Sequence, residues 1–110
     1  MSEIARHFTT GSVLIASTAS ATSSTPRFPF GRYAGGGVII GNTGGATQIS
    51  WHAAAAAEDV PRPIYADGSA VTTSVTVGCL PIPDACFGFP FVAPIITGGT
   101  TCAMTVCVKG

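Results

Sequence analysis

Apolar and polar residues along this chain alternate with a period of two far more often than with a helical period. The clearest run is Thr100 to Lys109, where Cys102, Met104, Val106 and Val108 face one way and Thr101, Thr105, Cys107 and Lys109 the other. Ala46 to Ala53 behaves alike: Ile49 and Trp51 share one face, and Gln48, Ser50 and His52 the other. Alternation of this kind marks half-buried strands. Gly11 to Thr18 and Ala70 to Val77 also read as strands, the second because it is largely β-branched. Val38 to Ile40 reads as a short buried strand, and Phe89 to Thr97 as a strand interrupted by Pro94. Phe28 and Phe30 alternate with Arg27 and Pro29, and the two prolines, Pro26 and Pro29, exclude a central strand there. Arg62 to Tyr65 is a short extended piece.

Turn signals separate these runs. Asn42 to Gly45 and the Asp67-Gly68 pair are strong ones, and Gly98-Gly99 reads as a hairpin turn. Gly35 to Gly37 are also expected to be turn residues. Leu80 to Gly88 reads as a loop, with Asp84 placed to cap a helical turn. The one helix-like run, Ala53 to Asp59, is either a strand continuing into a loop or a single helical turn before Pro61. Ser17 to Thr25, rich in Ser, Thr and Ala, is either an extended arm or an edge strand. The 14 glycines and 8 prolines are spread along the whole length and leave no clean amphipathic helix. The pattern predicts one all-β domain of about six to eight short strands, a β-sandwich or jelly-roll-like barrel. It spans residues 11–110 and is preceded by an N-terminal arm, residues 1–10.

Charge changes this picture from a fold to a surface. Only 9% of the 110 residues are charged, five basic and five acidic, against about 25% in ordinary domains. A neutral chain without clustered Lys and Arg is poorly suited to nucleic acid or to an anionic membrane. Such a surface suits broad contact with other proteins, although uncharged Ser and Thr also keep a protein soluble. No stretch approaches the roughly 18 apolar residues of a membrane helix. The start of the chain lacks the apolar run of a secretory signal, so a cytoplasmic origin, or release by lysis, is expected.

Candidate chemistry is thin. His7 falls in the arm, and His52 lies on the polar face of its strand, where a structural or solvent-facing role is expected. Glu58 and Asp59 are adjacent in a loop and Asp67 belongs to a turn, so no acid and base pair emerges. Cys79, Cys86, Cys102 and Cys107 form no Cys-x-x-Cys pair and read as reduced, mostly buried thiols. The glycine pairs have no following Lys-Ser or Lys-Thr, which argues against a phosphate cradle. The expectation is therefore a non-enzyme with no catalytic residues, no cofactor and no metal. Trp51, Tyr33, Tyr65 and the phenylalanines 28, 30, 87, 89 and 91 are expected to anchor a core or an interface. A carbohydrate-binding module is one alternative. A small thiol enzyme using Cys79, Cys86 or Cys107 is another.

From Trp51 onward the chain resembles the small decoration, or cement, proteins of tailed bacteriophage capsids. The likeness is carried by Ile49 to Trp51, by Asp67-Gly68 with its Thr/Val strand, and by Leu80 to Gly88. It continues through Phe91 to Ile96 and the closing strand to Gly110, covering residues 46–110 in style without a diagnostic motif. The resemblance implies a structural virion protein on the outside of the mature head, trimeric near three-fold positions. It would bind the major capsid protein lattice and stitch neighbouring subunits together, without cofactor and without direct contact to nucleic acid or membrane. The arm and the Ser/Thr/Ala segment would lie across a neighbouring subunit. A tail- or fibre-associated structural protein is the related alternative.

Overall fold

The described residues form antiparallel strands joined by turns and loops, with one short 3-10 turn and no α-helix. A computed structural model describes residues 8–16, 22, 25–31 and 33–109. The strands are β1 (Phe8–Ala16), β2 (Phe28–Pro29), β3 (Gly35–Asn42), β4 (Gln48–Ala54), β5 (Arg62–Pro63) and β6 (Tyr65–Ala66). They continue with β7 (Ser69–Ala70), β8 (Thr72–Ser74), β9 (Gly78–Pro81), β10 (Phe91–Thr97) and β11 (Thr101–Lys109). Strand number exceeds the expectation because Arg62–Ser74 is broken into four pieces. Ile64 and Val71 exchange a bond, Val71 N–H to Ile64 C=O at 2.9 Å, and β6 and β7 then project as a hairpin. Its turn, Asp67 (φ 53°) and Gly68 (φ 80°), has both central residues left-handed, which is the geometry an Asp-Gly pair favours.

Two sheets carry the molecule. One has the order β1-β11-β3-β9; the other runs β2-β10-β4, with β5 and β8 lying end to end along the far side of β4. Packed face to face they form the expected β-sandwich. The inward positions fill its core: Val38 and Ile40, Ile49 and Trp51, Val92 and Ile96, and the four alternate residues Cys102, Met104, Val106 and Val108. Phe30 joins them, stacked on Phe87 with ring centroids 5.0 Å apart. Each such aliphatic side chain contributes roughly 1.5–3 kcal/mol by leaving water. No polar or charged residue is buried among those described, and Trp51 gives its indole N–H to Thr73 Oγ1 at 2.9 Å.

Several expectations need correction. Gly98-Gly99 does not close a hairpin: β10 and β11 belong to different sheets, so the turn crosses the sandwich. The Asn42 to Gly45 turn crosses beside it, and the two lock together, Thr100 N–H donating to Gly44 C=O at 3.1 Å. Gly35 to Gly37 are strand residues of β3, not a turn. They allow close approach: a Cβ on Gly36 would strike the Cys107 carbonyl, and one on Gly37 would sit 2.9 Å from Leu80 O. Pro94 does not interrupt β10. It lies opposite Trp51, whose backbone bonds run the other way, to Val71 C=O and from Ile64 N–H. The missing N–H therefore faces beyond the end of β2, which covers only Phe91 and Val92.

The 3-10 turn at Asp84–Gly88 begins after Pro83 with no side-chain cap, so Asp84 sits in its first turn instead of capping it. Ala53 and Ala54 continue β4, which then leads into a loop. Residues 8–10 of the expected arm pair with Lys109, Val108 and Cys107 as the start of β1. Residues 1–7, and all of Ser17 to Thr25 except Thr22 and Thr25, lie outside the described residues.

Candidate interaction surface

Among the described residues, the fold sets the two less buried thiols apart from the imidazole of His52. Cys79 and Cys107 lie on the outer face of the β1-β11-β3-β9 sheet, set against Ile39 and Gly37 of the strand between them. His52 lies on the opposite face of the sandwich, beside Ala93 on β10 and Pro63 on β5. A thiol–imidazole pair needs hydrogen-bond reach, and this topology separates its members by both sheets. Cys86 and Cys102 are buried; burial pushes the Cys86 thiol up to about 12 and raises Cys102 as well. All four cysteines are free, but two are sealed, one is half-buried and one is exposed, so they are not mostly buried.

His52 is half-buried, with Nδ1 enclosed and unpartnered. Desolvation holds its pKa below the usual histidine range, partly opposed by the Pro61 carbonyl. His7 lies outside the described residues. Glu58, Asp59, Asp67 and Asp84 are exposed in loops and turns, and no group of three metal-ligating side chains gathers among the described residues. No described helix is long and apolar enough to cross a membrane.

The aromatic residues divide by depth. Trp51 is 1% exposed and cannot stack on a sugar. Phe28, Tyr33 and Phe87 are partly buried against the core, whereas Tyr65 and Phe89 are exposed. An open groove of about 440 Å³ runs between Pro29, Gly31, Tyr33, Pro90 and Phe91.

What the sandwich presents instead is an uncharged face. Strands β3, β9 and β11 turn outward Gly37, Ile39 and Gly41, Cys79 and Pro81, and Ala103, Thr105 and Cys107. Ile39 is 44% exposed at its centre, flanked in register by Thr105 and Cys79. Lys109 is the only charged residue on these three strands, at the far end of β11.

Sequence reasoning missed Arg27. Its guanidinium donates to the carbonyls of Thr22, Ala56 and Asp59, and its Nε–H to Thr25 C=O. It thus ties the β2 edge to the loop between β4 and β5. Continuing the β2–β10 register by one residue sets Arg27 beside Ala93. Its place among aromatics in a proline-flanked segment was the available signal.

No family model, curated protein or solved structure matches the chain. Among the described residues, charge collects in the loops and at strand ends, while the outer face of β3, β9 and β11 carries uncharged side chains except for Lys109 at its end. Surfaces of this composition lose little on desolvation and suit a flat protein partner.

Proposed function

We propose that this chain is a structural virion protein, a capsid decoration protein that binds the outside of a phage head and stabilises contacts between major capsid subunits. The observation that carries the reading is the outer face centred on Ile39, uncharged except for Lys109 at its end; the capsid as partner is the expectation that the resemblance of residues 46–110 adds. Binding by such a protein is mass action. A chain that recognises only the assembled shell stabilises that shell, and many copies of a modest interface add through avidity. No reaction and no cofactor enter this mechanism.

Two measurements test it. The chain is expected as a stoichiometric component of purified particles, with a copy number set by the shell's symmetry. Ile39→Lys is expected to keep the fold, because the side chain lies on the outer face and a lysine there can reach solvent, and to abolish binding to expanded shells. Absence from particles, or unchanged shell binding by the folded variant, sinks the proposal. The groove beside Tyr33 and Phe91 supports glycan binding as a second reading. In that case Tyr33→Ala would remove glycan binding, whereas Ile39→Lys would not.

A further inference from the structure

Among the described residues the sandwich has four lateral sheet edges, and three of them are built to refuse another strand. The β2 edge is two residues long and carries Pro29, with Pro26 just before it. The β9 edge is four residues long and ends on Pro81, with Pro83 following. The edge formed by β5 and β8 holds Pro61, Arg62 and Pro63, and the β6–β7 hairpin projects between its two pieces. Proline, short length, charge and interruption are the devices that stop edge-to-edge pairing.

The fourth edge, β1, has none of them. It is nine residues long, Phe8–Ala16, with no proline and no charged residue. It pairs with β11 along its whole length, and no described strand covers its other side. We infer that β1 is an intermolecular edge whose occupant is the β1 strand of a second copy, paired antiparallel about a two-fold axis.

Three arguments select that occupant. The first is self-complementarity: identical antiparallel strands satisfy each other's free N–H and C=O groups, and the contact closes after two copies. The second is elimination, since none of the other three edges offers the length or the open backbone to pair with β1. The third is size. Nine residues span roughly 30 Å and form about one hydrogen bond per residue in an antiparallel ladder. That approaches the about ten direct hydrogen bonds of an ordinary protein interface.

The register follows from the faces. Ile15 is buried and pairs with buried Cys102, which marks the core side of β1. Residues directly opposite each other share a face. Complete overlap with both cores on one side of the joined sheet therefore sets Ser12 against Ser12 and Phe8 against Ala16. The two four-stranded sheets become one continuous sheet. This inference does not rest on the capsid reading, and it differs from the three-fold association that the resemblance implies.

The test is sedimentation equilibrium of the full chain and of Ser12 variants. The wild type is expected at twice the 11.0 kDa chain mass. Ser12→Lys places two like charges on the axis and is expected to weaken the pair at least about tenfold, as is Ser12→Glu. An equimolar mixture of the two variants should return the doubled mass. Ile39→Lys, on the sheet face and away from the edge, should leave the pair intact and so separates this proposal from the one above. Circular dichroism confirms that each variant is folded. A wild-type mass of one chain or three, or a Ser12→Lys protein that pairs as tightly as the wild type, overturns the proposal.

Discussion

Replacing Gly99 by Ala tests whether the two inter-sheet turns really interlock. Gly99 has φ 66°, where an L side chain costs roughly 1–2 kcal/mol. Its new Cβ would also run into the Gly44 carbonyl and lie 2.5 Å from Gly45 C and 2.6 Å from Ala46 N. These are backbone atoms of the opposing turn, so relief requires that turn to move. Such overpacking costs roughly 1–3 kcal/mol, and the Thr100–Gly44 hydrogen bond is at risk with it. The expected total is about 3 kcal/mol, or about 12 °C in Tm for a chain of this length.

Two substitutions calibrate that figure. Gly68→Ala meets nothing within 4 Å but sits at φ 80°, so it should show strain alone, about 1 kcal/mol. Gly41→Ala also meets nothing within 4 Å, and its φ lies outside the left-handed region. It should be neutral or stabilise by about 0.4–1 kcal/mol through the unfolded chain. Urea unfolding followed by Trp51 fluorescence, at one protein concentration, measures all three. If Gly99→Ala costs no more than Gly68→Ala, the turns are not in contact as described.

Further expectations concern the buried polar and titratable groups. Thr73→Val strands the Trp51 indole N–H and should cost about 1–3 kcal/mol, whereas Trp51→Phe with Thr73→Val should show a smaller loss than the two single changes together. Cys86 has its folded pKa raised from 9.0 to about 12, so its contribution is full below pH 9 and is lost as pH rises toward 12. Stability should fall across that window less steeply in Cys86→Ala, read from urea midpoints at each pH. His52 has a folded pKa lowered from 6.5, so its contribution is full above that value and is lost as pH falls below it. His52→Gln should flatten the acid side of the same profile. Native alkylation should modify Cys79 first and leave Cys86 and Cys102 unmodified until the protein unfolds, which mass spectrometry of timed samples resolves.

The parts of the fold that were legible in sequence are those governed by one strand's own periodicity. The alternation in β11 and the pairing of Ile49 with Trp51 on one face needed no knowledge of partners. Glycine and proline were misread wherever their role depended on a distant backbone. Gly36 looks like a turn residue until Cys107 is known to pass against it. Pro94 looks like a break until its missing N–H is seen to face past the end of β2. Gly98-Gly99 reads as a hairpin because sequence does not reveal that β10 and β11 belong to different sheets. Arg27 was passed over for the same reason, since two of its carbonyl partners lie 29 and 32 residues away.

Low charge was visible from composition alone, but composition does not say where the few charges go. Glu58, Asp59 and Asp67 fall in loops or turns, Asp84 in the 3-10 turn, and Arg62 and Lys109 at strand ends. Arg27 is committed to backbone carbonyls. Among the described residues the scarcity belongs to the strands of both sheets, with Arg62 and Lys109 the exceptions, and it holds along the whole of β1, where a charge would most obstruct a protein neighbour. A sandwich that merely lacked charge would have no reason to place proline or interruption on three edges and neither on the fourth. That asymmetry ties the proposed contact with a second copy to the sequence itself, independently of what the outer face binds.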